Sequence, residues 1–274
     1  MRWIAIAAGL LTACRGSAPV SQAPPLAPVA RAEVVRYGPG TARYRAVSQL
    51  KVEQEFNGQV QGSAVRFSYF TTTRVAPDGD RLRATLTVDS LDFTDVPAVS
   101  GAELARARGA TFTAILSPEG ELTDFTGTDS TTEVMQQISS GLREFFPRIP
   151  ASGAAPGGHW VDTAETRSRF GSADLSIRSI NRHDITGWTD HRGQRALHIH
   201  THTSYTVSGT GSQAGQTMNI DGQGERASDR FLSPEGWYLG YTASDSSRFS
   251  VLLTDLGMTV PVRQARADTL SVLP

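Results

Sequence analysis

The stretch RYRAVSQLKVEQEF, residues 43–56, decides the fold class. Tyr44, Ala46, Ser48, Leu50, Val52 and Phe56 share one parity. Arg43, Arg45, Gln49, Lys51, Glu53 and Glu55 share the other, with Val47 the apolar exception. Successive strand residues point to opposite faces, so this alternation predicts a half-buried antiparallel strand. Asn57-Gly58 then turns the chain. Alternation resumes at Val65, Phe67, Tyr69, Thr71, Thr73 and Val75. Pro77-Asp78-Gly79-Asp80 is a second turn, since Pro fixes φ and Gly accepts positive φ. Leu82, Ala84, Leu86 and Val88 alternate against Arg81, Arg83, Thr85 and Thr87, and short strands are expected over 111–116 and 122–125.

Two helices interrupt the strands. Ser100 with Glu103, and Ser130 with Glu133, have capping-box spacing. The first helix is expected to run two turns, to about Arg108. In the second, Val134, Ile138, Leu142 and Phe145 fall on one face, with Met135 and Phe146 beside it, and Pro147 ends it. That face predicts a helix lying on the inner side of the sheet.

After a Pro/Gly/Ala-rich connector, strands are expected over 159–169, 173–188, 194–208, 216–228, 237–244, 247–255 and 258–269. The turn Ser117-Pro118-Glu119-Gly120 recurs as Ser233-Pro234-Glu235-Gly236. This suggests two related halves, 40–147 and 158–270, within a single β-rich domain, 33–274. Each half has too few strands to close its own core. The expected fold is therefore mainly β: one large curved antiparallel sheet or half-barrel of about 11 strands with one or two covering helices.

The chain has 274 residues and a net charge of −1. Lys51 is its only lysine, so no basic footprint for nucleic acid exists. Cys14 is its only cysteine, which excludes an intrachain disulfide. Arg2 precedes the apolar run Trp3–Leu11, the layout of a secretory signal peptide and too short to span a bilayer. Leu11-Thr12-Ala13-Cys14 resembles the bacterial lipobox. The resemblance implies removal of residues 1–13, lipidation of Cys14 and attachment to a membrane. Two or more acyl chains anchor stably. Arg15 stands where Asp resembles an inner-membrane retention signal, which favours the outer membrane. Residues 14–32 carry Pro19, Pro24, Pro25 and Pro28 and read as an extended tether.

Lipobox, tether, long meander and covering helix together resemble bacterial lipoproteins with a lipoprotein-localisation-factor-like half-barrel. Gly157-Gly158-His159-Trp160 after the connector also resembles an uncharacterised lipoprotein family. These resemblances imply that an acyl chain or other hydrophobic ligand is held between sheet and helix.

All six histidines lie beyond residue 158, and His198, His200 and His202 share one strand face. His198 and His202 stand about 13 Å apart along a strand, so at most an adjacent pair can chelate one ion. Asp190-His191-Arg192-Gly193-Gln194 fits a three-residue hairpin loop, with Asp190 facing Gln194. That register sets Ile185 opposite Ile199, Asp184 opposite His200 and Arg182 opposite His202, so the histidine face is the polar one. Two readings stand: His198 or His202 with His200 and Asp184 around a metal, or a solvated face on which Asp184 balances an imidazole. The second is favoured, and no metal or cofactor is expected.

The stretch from Gly209 to Gly215 reads as a turn rather than a nucleophile elbow, and Asp221-Gly222-Gln223-Gly224 as a strand with a bulge. Glu225, Asp229, Asp245 and Asp255 are dispersed, with no spacing that fixes a carboxylate pair. Trp160, Trp188 and Trp237 read as core or sheet anchors. The expected function is a non-catalytic, lipid-anchored envelope module for a hydrophobic ligand. The alternatives are a structural or adhesive envelope protein, and a metal-dependent enzyme using the His198/His200 face.

Overall fold

The alternating stretch forms strand β1, Gly40–Phe56, and the pattern around it builds a single antiparallel sheet. The computed structural model describes residues 33–56, 58–94, 101–127, 133–170, 173–213 and 216–274. The expected leader (1–13) and tether (14–32), with Cys14, lie outside them, as do Asn57 and the side chains of the two capping boxes.

The further strands are β2 Gln59–Asp78, β3 Arg81–Thr94, β4 Thr111–Leu116, β5 Leu122–Gly127, β6 His159–Phe170, β7 Ala173–His191, β8 Gln194–Gln213, β9 Gln216–Leu232, β10 Tyr238–Leu253 and β11 Met258–Val272. Helices α1, Gly101–Ala107, and α2, Glu133–Arg143, are short. The strand order is β5-β4-β3-β2-β1-β11-β10-β9-β8-β7-β6 in an 11-stranded sheet. The sheet is the one expected and is open, with β5 and β6 as its edges. Both helices form, but α2 ends at Arg143, so Phe145 and Phe146 follow it rather than lying on it and Pro147 is not what stops it.

The chain walks outward from β1 to one edge, then reappears at the other edge and walks back to pair β11 with β1. The segment between the edges, α2 and the connector, is what covers the inner face. Met135, Leu142, Phe145, Phe146, Ile149 and Ala154 join one core cluster with Tyr44, Leu86, Ile185, Ile199, Leu232 and Tyr238. Ile138 packs against it, as the helical periodicity requires.

Four local expectations are corrected. The β7–β8 hairpin has a two-residue loop, with His191 opposite Gln194. Arg192 (φ 57°) and Gly193 (φ 79°) are both left-handed, the geometry that matches strand twist. Asp190 caps it by accepting the Gly193 N–H at 3.0 Å. A register shift between Ile185 and Gly187 then restores the expected pairing of Asp184 with His200 and Arg182 with His202. Second, Gly209–Gln213 is strand, paired with β7 and β9; only Ala214 and Gly215 lie outside the described residues. Third, 237–244 and 247–255 are one strand, because Asp245 and Ser246 keep their ladder partners on both sides.

Fourth, Gly222 and Gly224 mark no bulge, since the ladder runs through them without a shift. They make room for rings lying flat on the sheet. A Cβ at Gly222 would stand 2.4 Å from Cδ1 of Phe249, and one at Gly224 2.3 Å from Cζ of Tyr205.

The two Ser-Pro-Glu-Gly turns close alike. Gly120 N–H donates to Ser117 O at 3.0 Å, and Gly236 N–H to Ser233 O at 3.0 Å. Both abut the entry segment: Gly120 lies against Tyr37, and Gly236 against the Arg36 carbonyl. Val35 is fully buried and forms a β-bridge with Ala154. The Tyr37 hydroxyl donates to the Pro147 carbonyl.

Candidate functional site

Strand parity and ladder register sort the chemistry onto two faces. His198, His200 and His202 lie on the outer face, as expected for the polar side. His198 Nε2 is 2.8 Å and His200 Nδ1 2.9 Å from the same atom, Asp229 Oδ1. Thr186 Oγ1 takes the other His198 nitrogen at 2.7 Å. His202 Nε2 stands 4.0 Å from Glu225. Asp184 does face His200 across the β7–β8 ladder, but the carboxylate that the imidazoles engage is Asp229, directly opposite His200 on β9. Burial opposes ionisation of Asp229, yet the hydrogen bonds with His200 and His198 hold its carboxyl below the usual carboxylate range. Among the described residues, no group of three His, Cys, Asp or Glu side chains is placed to hold a metal ion. Also on this face, a shallow depression of about 790 Å³ crosses β6–β10. Its Arg178 and Glu165 stand 3.5 Å apart.

The inner face is layered. Near the helices it is apolar, with Ile185, Ile199, Leu270 and Ala46 in one ladder row that also contains Arg230 and Tyr241. Two residues further along each strand, the row reads Trp160, His183, Thr201, Ser228, Ala243, Asp268 and Ser48. The next reads Asp162, Asn181, Thr203, Arg226, Asp245 and Arg266. The row after that reads Ala164, Ser179, Tyr205, Gly224, Ser247 and Gln264, and beyond it the face turns apolar again, through Ile177, Val207, Phe249 and Val262, then Leu175, Ile220, Val251 and Val260. A polar belt thus crosses the sheet between two apolar zones.

Within the belt the carboxylates are engaged. Asp268, 5% exposed, accepts from Ser48 Oγ at 2.6 Å and Arg266 Nε at 2.8 Å, with Arg226 at 3.6 Å. Asp245 accepts from the Tyr205 hydroxyl at 2.8 Å. Burial pushes the Asp245 carboxyl up, and burial beside Asp245 pushes the Tyr205 hydroxyl up to about 12. Asp162 accepts from Asn181 at 2.6 Å and meets His183 Nε2 at 3.1 Å. His183 Nδ1 reaches Thr201 Oγ1 at 2.9 Å, while Trp160 stacks on its ring at 4.4 Å.

Arg230 differs. It has no carboxylate partner among the described residues, and its Nε is shielded from solvent without a hydrogen bond. The Arg226 Nε is in the same state. Both guanidinium groups lean over the Tyr241 ring, at 5.9 Å for Arg226 and 6.0 Å for Arg230. Shielded guanidinium donors without acceptors are uncommon, and each leaves a desolvation cost that an anion relieves. No sequence motif singles out these arginines. The signal for them is parity: Arg226 and Arg230 share the parity of Met218 and Leu232, and Arg266 and Asp268 that of Val262 and Leu270.

His183 sets a pH prediction. Burial lowers its pKa below 6.5, against the opposing pull of Asp162. The folded protein then holds fewer protons than the unfolded chain below that value, so stability declines as pH falls through it. Urea midpoints are expected to drop between pH 7.5 and pH 5, with a smaller drop in His183→Asn. An equal drop in both would remove His183 as the cause.

The fold and belt define an open, arginine-lined β-sheet protein. No protein-family model matches the chain, and no curated protein sequence does. Among solved structures it is similar to OccK9 (OpdG) of Pseudomonas aeruginosa, at 8% identity over 85% of this chain and 98% of that one, with TM-score 0.28. It is also similar to a DUF1329 family protein from Desulfovibrio piger, at 9% identity over 83% of each chain, with TM-score 0.19. Neither likeness is close enough to carry a residue role or an activity across.

Proposed function

We propose that this chain is a lipid-anchored envelope module that holds an amphipathic ligand on the inner face of its sheet. The observation that carries the reading is the layering beyond α2, where a polar belt adjoins apolar rows outside the main core cluster. Ile177, Ile220, Phe249 and Val251 stay partly exposed there. An acyl chain between sheet and helix, as the resemblance implied, finds no room at the aromatic centre. Tyr44, Phe145, Phe146 and Tyr238 fill it with rings in mutual contact. The ligand position is therefore moved along the strands, away from the helices. Anchoring rests on the lipobox-like Leu11-Thr12-Ala13-Cys14.

Residues 33–274 carry the described members of the core cluster, from Val35 to Leu270, and are expected to fold without the leader and tether. Produced in a bacterial periplasm and extracted with organic solvent, this segment is expected to release lipid in near-stoichiometric amount. Lipid-free protein that also ignores added amphiphiles would favour the structural or adhesive alternative. For the full chain from a lipoprotein-processing host, mass spectrometry is expected to find Cys14 at the N-terminus, acylated. A retained Met1 and a bare thiol would remove the anchor.

A further inference from the structure

Arg226 and Arg230 sit four residues apart on one face of β9, yet both heads converge on the ring of Tyr241. The neighbouring carboxylates are already engaged, Asp268 by Ser48 and Arg266, Asp245 by Tyr205, and Asp162 by Asn181 and His183. Arg230 therefore has a charge but no countercharge at contact distance. It also stands at the border between the apolar core row and the belt, where water is scarcer than at an exposed arginine. A guanidinium there binds phosphate or carboxylate through paired N–H donors, and a lysine or amide would not reproduce that fork.

Resting on the function proposed above, we infer that Arg230, assisted by Arg226, receives the anionic head of the amphipathic ligand. Its apolar tail runs down the inner face, across Gly224 and towards Phe249, which stands opposite Gly222, about 26 Å along β9 from Arg230 at about 3.3 Å per residue. The ring of Tyr241 forms the floor of the head site, and Gly222 and Gly224 keep the path flat by letting Phe249 and Tyr205 lie against the backbone. The ligand class is an alkyl chain ending in a phosphate or carboxylate. Sugar-headed and uncharged amphiphiles are discriminated against.

The test uses residues 33–274 and tryptophan fluorescence, with four probes kept below their micellar concentrations: dodecyl phosphate, dodecanoate, dodecyl maltoside and inorganic phosphate. Dodecyl phosphate is expected to bind at least about tenfold more tightly than dodecyl maltoside, since a hydrogen bond to a charged group contributes on that scale. Arg230→Gln is expected to abolish that preference by lowering the affinity for dodecyl phosphate to that for dodecyl maltoside, and Arg230→Lys to restore only part of it. Arg226→Gln, the second variant, is expected to weaken the preference less. Equal binding of charged and uncharged amphiphiles by the unaltered protein would overturn the head-group assignment and leave the amphiphile reading standing. A preference that survives Arg230→Gln would overturn the role of Arg230. Inorganic phosphate binding as tightly as dodecyl phosphate would support the anion site and overturn the tail. Binding of no probe at all would overturn both the inference and the function on which it rests.

Discussion

Phe145→Ala is expected to lower the unfolding free energy by about 3–5 kcal/mol, the range for removing a buried aromatic ring. Phe145 is 5% exposed, just beyond the C-terminal end of α2. Its ring meets Tyr44 edge-on at 5.0 Å, Phe146 at 5.1 Å and Tyr238 at 5.6 Å. Deleting it removes apolar contact with three partners that sheet and helix hold in place, so the site collapses poorly and a cavity remains. The edge-to-face pairs add to that loss, at about 0.5–1.5 kcal/mol each. Tyr44 has a second tie, since its hydroxyl donates to the Tyr238 carbonyl at 2.7 Å. Urea unfolding followed by circular dichroism reads the change. Phe56→Ala, at a site 42% exposed, is the comparison and is expected to move stability by less than about 0.5 kcal/mol. If both variants cost the same small amount, α2 is not sealing the sheet.

Gly236→Ala is expected to destabilise by about 3 kcal/mol or more, from left-handed strain plus a collision. Gly236 has φ 85°, and a Cβ there would lie 1.7 Å from the Arg36 carbonyl oxygen. The entry segment would have to move, and with it the buried Val35 and Tyr37. Gly193→Ala separates the two causes. Gly193 has φ 79°, but a methyl group there would meet nothing within 4 Å, so it carries the strain alone, about 1–2 kcal/mol. The difference between the two variants measures how firmly the turn clamps residues 36–38. Equal losses would mean that the segment gives way freely.

Much of the scaffold is legible in the sequence because a half-buried strand must alternate. Tyr44, Ala46 and Ser48 are buried where alternation puts them, and Arg43, Arg45 and Gln49 are exposed. The helix face of Ile138 and Leu142 likewise packs on the sheet, with Phe145 just beyond the helix end. Local departures have local causes. A two-residue turn with left-handed Arg192 reads as a longer loop because arginine seldom adopts that conformation, and the compensating shift beside Ile185 leaves no mark in composition. Gly222 and Gly224 suggest a bulge because their reason lies in Phe249 and Tyr205 on neighbouring strands.

Sequence by itself determined most of the strands and the face that each alternating side chain takes, because these follow from nearest neighbours along one chain. Only the tertiary structure decided that β1 pairs with β11, that Asp229 rather than Asp184 meets His198 and His200, and that Arg226 and Arg230 converge on Tyr241. Such meetings depend on ladder register across strands that turns and bulges set, and on which carboxylates other partners have already taken. A charge placed on the apolar parity of a strand hints at a site. Whether it is matched or left over is a property of the assembled sheet.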